Sequence, residues 1–269
     1  MNKIKNIIKN LIKNIFRIFF FKELLFLITR IVDNDFYKIP ANGKNYFFAK
    51  SGKLNEYRIK TFITKEPETI DWINKFETNK IFWDIGANIG LYSLYASINS
   101  NSKVFSFEPS VFNLELLTRN INLNSQNKNI SLIPLCLSHD NSISEFYCTS
   151  LEKSGALSSF KEEIDQNGNK LNSLFSYNTV GMSADDLIKI YSLKLPDYIK
   201  IDVDGHEHMI LKGASNALKN CKSILIELSD SFRDQKFISN ELLISHGFTL
   251  TNKFYKSDSN QSNQIWTKK

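Results

Sequence analysis

Apolar and polar positions change rhythm along the chain, and the changes mark its elements. In residues 1–31, Ile4, Ile7, Ile8, Leu11, Ile12, Ile15, Ile18 and Phe19 recur at steps of three and four, with lysines mostly between them. That spacing predicts an amphipathic helix. Residues 35–64 read as short strands broken by turns at Asn42-Gly43 and Ser51-Gly52, a cap ahead of the core. Glu66-Pro67-Glu68-Thr69 opens a helix through about Phe76, with proline suited to its first turn. From residue 81 the periods alternate. Strands are expected at 81–85, 103–108, 130–137, 198–203 and 222–228, and helices at 90–98, 111–123, 183–191, 206–219 and 236–246. A strand near 143–149 and two closing strands near 248–255 and 262–267 complete the pattern. Residues 151–181 are polar, with Gly155, Gly168 and Gly181, and read as an insertion or mobile loop. Alternating strands and helices predict an α/β fold, mainly parallel, with helices on both faces and an antiparallel hairpin at one edge. The expected organisation is a helix over 1–32 and one domain over 33–269, of which 33–64 are cap strands.

Charge changes the picture only at the N-terminus. Residues 1–32 carry seven basic groups and one acid, Glu23, and so account for the whole net charge of +6. The remainder is neutral, so the basic balance does not indicate a nucleic-acid-binding domain. The apolar stretches around Phe19 and Leu25 are interrupted by Lys22 and Glu23 and fall short of the roughly 20 residues a spanning helix needs. No small-residue cleavage site follows them. A basic amphipathic helix can lie in an anionic membrane surface. Packing on the domain or on a partner is the competing expectation. Cys136, Cys148 and Cys221 are odd in number and widely spaced, which argues against a disulfide framework or a zinc site and fits a reducing compartment. The expected location is cytoplasmic, with contact to the cytoplasmic face of a membrane through residues 1–31.

Candidate chemistry begins at Asp84-Ile-Gly86-Ala87-Asn88-Ile-Gly90, where an apolar strand meets a glycine turn and a helical pattern. This is where α/β folds hold nucleotide-like ligands, and glycines there let backbone approach a ligand. The G-x-G-x-x-G spelling of a dinucleotide site is absent. Asp84 stands in place of its first glycine, and a carboxylate there suits an ammonium-bearing ligand, S-adenosylmethionine, more than a pyrophosphate. Glu108 closes the next strand, placed to accept the two ribose hydroxyls of a nucleoside. Ser110 then reads as a helix N-cap.

These pieces together resemble the FkbM family of methyltransferases. The resemblance covers roughly residues 66–230 and rests on Glu-Pro-Glu-Thr at 66–69, Phe-Trp-Asp-Ile-Gly-Ala-Asn-Ile-Gly at 82–90, Phe-Glu-Pro-Ser at 107–110, Leu-Ser-His-Asp at 137–140 and Ile-Lys-Ile-Asp-Val-Asp-Gly-His-Glu at 199–207. It implies a class I methyltransferase fold, Rossmann-like with seven strands, and S-adenosylmethionine as the methyl donor. Family members typically methylate hydroxyls on natural products or saccharides. The cofactor residues it implies are Glu66, Asp84, Gly86, Ala87, Asn88, Gly90, Glu108 and Pro109, with Ser138 and Asp140 toward the adenine. Asp204 departs from the glutamate usual before the glycine.

Lys200, Asp202, Asp204 and Glu207 form the last signal. Strand alternation puts the first three on one face, at the sheet's carboxyl edge. O-methylation needs an aligned acceptor hydroxyl and somewhere for its proton to go. Asp202, with Lys200, is the candidate for that work, and Glu207 is included with them. Two other readings stand beside it. Asp204 and Glu207 have the spacing of a capping box, and the three carboxylates could hold Mg²⁺. His206 and His208 point to different helix faces, so no shared metal is expected. The expected acceptor is a small molecule, glycan or glycolipid, with no nucleic acid. An NAD-dependent oxidoreductase and a binding or scaffold protein without activity are the rival readings.

Overall fold

The computed structural model describes the backbone of residues 2–33, 35–256 and 259–268, and the side chains of these from residue 13, except 31–33. The first helix, α1, spans Asn2–Asp33, and its described side chains are all exposed. A hairpin follows, β1 (Phe36–Ala41) and β2 (Lys44–Ala49), turning at Asn42 and Gly43, both with positive φ. Helices α2 (Lys53–Lys60) and α3 (Pro67–Asn74) come next. The expected strand after Ser51-Gly52 is therefore a helix. Its two buried side chains, Asn55 and Ile59, are four residues apart, a helical spacing that its polar composition obscured.

The main sheet has seven strands in the order β12-β13-β11-β10-β3-β4-β5. These are β3 (Ile81–Ile85), β4 (Lys103–Phe107), β5 (Ile130–Ile133), β10 (Tyr198–Ile201), β11 (Ser223–Ser229), β12 (Phe248–Tyr255) and β13 (Gln261–Lys268). Strands β5, β4, β3, β10 and β11 run parallel, while β13 joins β11, and β12 joins β13, antiparallel. With its reversed terminal hairpin this is the class I methyltransferase arrangement. Helices α4 (Leu91–Ser100), α5 (Val111–Leu123), α6 (Ala184–Tyr191), α7 (Glu207–Lys212), α8 (Ser215–Asn220) and α9 (Arg233–Ser245) complete the layers.

Strand β3 shows how the sheet separates two cores. Its Phe82 belongs to a cluster with Tyr46, Phe48, Trp72 and Leu94, while Trp83 and Ile85 belong to another with Ile199, Leu211 and Leu218. The alternation brings Asp84 to the first face, in register with Lys200 of β10.

After β5 the chain leaves the sheet. The expected strand 130–137 divides into β5 and β6 (Cys136–Ser138), and β6 joins β7 (Ser142–Cys148), β8 (Ser159–Phe160) and β9 (Phe175–Ser183) in a second sheet ordered β6-β9-β7-β8. Residues 151–181, expected as an insertion or loop, thus contain β8 and most of β9. The burial of β9 alternates residue by residue, the period-2 signature of a half-buried strand. The single helix expected over 206–219 is divided into α7 and α8 at Gly213-Ala214. A Cβ on Gly213 would lie 2.2 Å from the Ser138 carbonyl oxygen, so only glycine lets this bend approach β6.

Candidate active site

The turn after β3 is built for close packing. Gly86 has φ +81°, and a Cβ there would lie 1.9 Å from the Asp202 carbonyl oxygen. Gly90 has φ +82°, and a Cβ there would meet Leu117 of α5 at 2.4 Å. The glycines were expected to admit a ligand; in the fold they seat the turn against the end of β10 and α4 against α5. Asp84 lies beneath the turn, 1% exposed. It accepts a hydrogen bond from Ser93 Oγ at 2.5 Å, and Ser93 Oγ is 2.7 Å from Ser106 Oγ, so the carboxylate ties the first turn of α4 to β3 and β4. Burial raises its pKa, against the pull of the Lys200 ammonium. Asp84 does not line the cavity described next.

A cavity of about 870 Å³ opens over the carboxyl edge of the sheet. One wall is made by Gly86, Asn88, Glu108, Pro109, Ser110 and Asn113. Glu108 is buried there. Its Oε2 accepts the Asn88 amide N–H at 2.7 Å, and its Oε1 accepts the Ser110 amide N–H at 2.8 Å. Ser110 occupies the N-cap position of α5 but makes no side-chain cap. Burial outweighs these donors and raises Glu108 to about 7. Asn88 and Asn113 each give their amide N–H to the Gly155 carbonyl, at 2.7 and 3.1 Å, and each leaves a buried Oδ1 without a partner. Two orphaned acceptors beside a buried carboxylate fit a ligand rich in hydroxyl and amino donors. The ribose and amino groups of S-adenosylmethionine meet that description. An apolar slot branches from this wall, sharing Gly86, Pro109, Phe146 and Val203 with it and lined further by Phe107, Leu135, Leu137 and Phe160.

The opposite wall is ionic. Glu66, the N-cap residue of α3, accepts the Tyr92 hydroxyl at 2.9 Å and lies 3.2 Å from Lys256 Nζ. Lys256 also bonds Glu227 of β11. Lys200 Nζ is 2.7 Å from Asp202 Oδ2 and 5.0 Å from the Tyr92 ring centre. Burial pushes the Asp202 carboxyl up, but the Lys200 and Lys256 charges outweigh it and hold the group far below the usual carboxylate range. Asp202 is 26% exposed through the cavity, so water moderates both effects. Glu227 goes the other way. Burial, then the neighbouring Asp202 charge, raises it to about 8 despite Lys256. Glu66, Asp202 and Glu227 each offer an oxygen within 4.8 Å of the others, the spacing of a cation site. The Lys256 ammonium already supplies positive charge to this trio. It differs from the Asp202, Asp204 and Glu207 set considered for Mg²⁺.

The remaining expected residues are divided between the cavity and the packing around it. Strand β10 ends at Ile201, so alternation stops before Asp204. That residue has φ +58° and accepts the Leu157 amide N–H at 2.7 Å on the cavity wall. Glu207 is 1% exposed and off the cavity. Its Oε1 accepts the Val203 amide N–H, its Oε2 accepts that of Gly205, and Gln235 donates to it too, so it fastens the turn after β10. The reciprocal Asp204–Glu207 capping box does not form, and the N-cap position of α7 is His206. Ser138 and Asp140 do not line the cavity. Ser138 pairs with Ser183 in the second sheet, and Asp140 pairs with Lys161 at 2.5 Å. Ala87 lines a smaller recess under the turn with Glu66, Asn88, Tyr92, Lys200 and Asp202. Sequence reasoning missed Glu227, Lys256, Asn113 and Arg58. Glu227 had a signal: it is the lone charge in the apolar run Ser223–Ser229. Lys256 and Arg58 had none.

The methyltransferase FkbM domain matches residues 84–252. The hexuronic acid methyltransferase AglP of Haloferax volcanii is 30% identical over 157 residues, which cover 58% of this chain and 59% of that protein. The chain thus matches less than two thirds of that relative's length. Among solved structures, precorrin-6y C5,15-methyltransferase of Geobacter metallireducens aligns over 82% of this chain and 94% of its own, at 18% identity and a TM-score of 0.45. TYW2 of Pyrococcus horikoshii, in complex with MeSAdo, aligns over 86% and 70%, at 13% identity and a TM-score of 0.47.

Proposed function

The chain belongs to the FkbM family of S-adenosylmethionine-dependent methyltransferases, and from that footing we propose that it methylates a hydroxyl of a sugar or sugar-bearing acceptor. One observation carries the proposal. An acceptor-rich wall around Glu108 and an ionic wall around Asp202 and Glu227 face one cavity. The name of the Haloferax relative, a hexuronic acid methyltransferase, supports a sugar as the acceptor class.

When bound, S-adenosylmethionine supplies a methyl group on a positively charged sulfur that departs as a neutral thioether. The work left to the chain is alignment and proton removal. Glu108, Asn88 and Asn113 would hold the ribose hydroxyls, and the apolar slot by Phe107 and Leu137 would receive the base. Glu66 and Asp202 in the recess under the turn would meet the amino-acid end, with Arg58 and Lys65 beside them for its carboxylate. Asp202, kept ionised by Lys200, orients the acceptor hydroxyl. Its depressed pKa makes it a weak proton acceptor. Glu227, raised to about 8, is matched to take up the hydroxyl proton near neutral pH, and Lys256 holds it in place.

The test incubates the purified chain with radiolabelled S-adenosylmethionine and a panel of free and glycosidically linked hexoses and hexuronic acids. Label is expected in a base-stable methyl ether. Base-labile label would mean a methyl ester and overturn the hydroxyl assignment, and label in no sugar would overturn the acceptor class.

A further inference from the structure

No described residue of helix α1 lines the cavity, and the helix exposes a run of large apolar side chains. The large apolar side chains between Ile15 and Ile28 number eleven, and every one is at least 40% exposed. They do not form a stripe. At 3.6 residues per turn, Phe20, Leu24 and Ile28 fall on one side, and Ile15, Phe19 and Phe26 fall on the opposite side. A groove or a single partner helix covers one side and leaves the other in water. A helix with apolar side chains on opposite sides, interrupted only by Arg17, Lys22 and Glu23, needs a medium that can close around it.

Residues 2–14 differ. There Ile4, Ile7, Ile8, Leu11 and Ile12 recur in the sequence at steps of three and four, the period of an amphipathic helix, with Lys3, Lys5, Lys9 and Lys13 between them. Such a segment lies along a surface, apolar face down. Over residues 1–32 the charge is seven basic groups against one acidic. The complementary surface is anionic. Length sets the depth. Residues 15–28 as helix extend about 21 Å, short of a hydrocarbon core of about 30 Å. Consistently, no described helix is long and apolar enough to cross a membrane.

We propose that α1 lies along one face of an anionic lipid bilayer, residues 2–14 in the headgroup layer and residues 15–28 embedded more deeply, at the headgroup–acyl boundary. Arg17, Lys22 and Glu23 keep their charged ends at the headgroups, the two cations along apolar stems. The inference goes beyond the methyl-transfer reading and does not depend on it.

The test uses flotation of the full chain with vesicles of phosphatidylcholine alone and of phosphatidylcholine mixed with phosphatidylglycerol. Binding to the mixed vesicles should exceed binding to the neutral ones by at least about tenfold at low salt and decline as salt rises. The triple variant Phe19→Ser, Phe20→Ser, Phe26→Ser should lose binding to both. The variant Lys5→Glu, Lys9→Glu, Lys13→Glu should lose the preference for anionic lipid. Both should keep the parent's affinity for S-adenosylhomocysteine, measured by calorimetry, which separates lost membrane contact from lost fold. A full chain that binds S-adenosylhomocysteine but floats with neither vesicle overturns the proposal and leaves the enzymatic reading standing. Equal flotation with both vesicles overturns the anionic surface. A dimer that the phenylalanine variant dissolves, with no flotation, shows that a second copy covers the helix instead.

Discussion

The two walls of the cavity solve different problems by different means. The wall around Glu108 comes from one stretch, Gly86 to Asn113, a single strand–helix–strand unit and the start of the next helix. Its polar groups are backbone amides, amide side chains and one carboxylate held by two N–H donors. The wall around Glu227 is gathered from separate segments: the α2–α3 connection, the end of β10, β11, and the hairpin from Phe254 to Gln261. Its polar groups are ions that depend on one another, with Lys256 shared between Glu66 and Glu227. Burying an unpaired carboxylate is costly, so each is buried beside a cation. A wall of fixed dipoles keeps its state when one neighbour changes. A wall of coupled charges resets every pKa in it. The first suits the unvarying ribose of a cofactor, and the second, which also meets the cofactor's charged end, suits a reaction in which a proton must change hands.

The largest expected effect breaks the seam between the walls. Gly86→Ala puts a Cβ against the Asp202 carbonyl oxygen in a backbone conformation alanine disfavours, so S-adenosylhomocysteine binding by calorimetry should be lost. Next, Glu227→Gln removes the proposed proton acceptor and should lower kcat by about 10²–10⁴ with little change in cofactor affinity. In the parent enzyme kcat/KM should climb as pH rises toward about 8, where Glu227 ionises, and the variant should lose that limb. Equal activity in the variant would leave the ionic wall without its proposed role. On the other wall, Glu108→Gln should weaken S-adenosylhomocysteine by about 10–100-fold, the loss of charge-assisted hydrogen bonds, and leave proton transfer untouched.

Smaller effects sharpen the contrast. Glu227 is raised to about 8, and Glu108 and Glu207 to about 7, from an ordinary value of 4.5. The folded chain therefore holds more protons than the unfolded chain between these limits. The stability these groups contribute is full below about pH 4.5 and is lost as pH rises through 7 to 8. The Tm should fall between about pH 6 and about pH 8.5 by differential scanning fluorimetry, and less so in Glu227→Gln. The smallest effect is local. Ser93→Ala removes the bond to Asp84 and should cost about 1 kcal/mol in denaturant unfolding.

The two walls also differ in how far the sequence displays them. The Asp84-to-Asn88 turn and Glu108 are neighbours along the chain, so strand period, turn chemistry and spacing point to them directly. The parallel sheet and the closing hairpin were legible for the same reason: each rests on local periodicity. Lys256 reaches Glu66 only because β12 and β13 reverse at the edge of the sheet beside β11, a pairing that no local pattern announces. Glu207 shows the opposite difficulty. Its motif is plain, but whether it reacts or fastens depends on Val203, Gly205 and Gln235. Asp84 likewise carries a recognisable motif and spends its charge under the turn on Ser93. Ser138 and Asp140 were expected near the cofactor only through the family resemblance, and the chain that leads to them leaves the main sheet after Ile133.

The stretch that matches the FkbM domain ends at residue 252, within β12. Phe254, Tyr255 and Lys256, and on the other side Arg58 and Glu66, lie outside it while lining the cavity. The hairpin that carries Lys256 hangs from an outer strand pair, so its tip can be rewritten without disturbing the hydrogen bonding of the parallel strands. Selection can thus act on the tip and on the sheet separately. Changes at the hairpin's end that spare Lys256 would reshape the cavity's outer rim while Glu66 and Glu227 keep their shared cation.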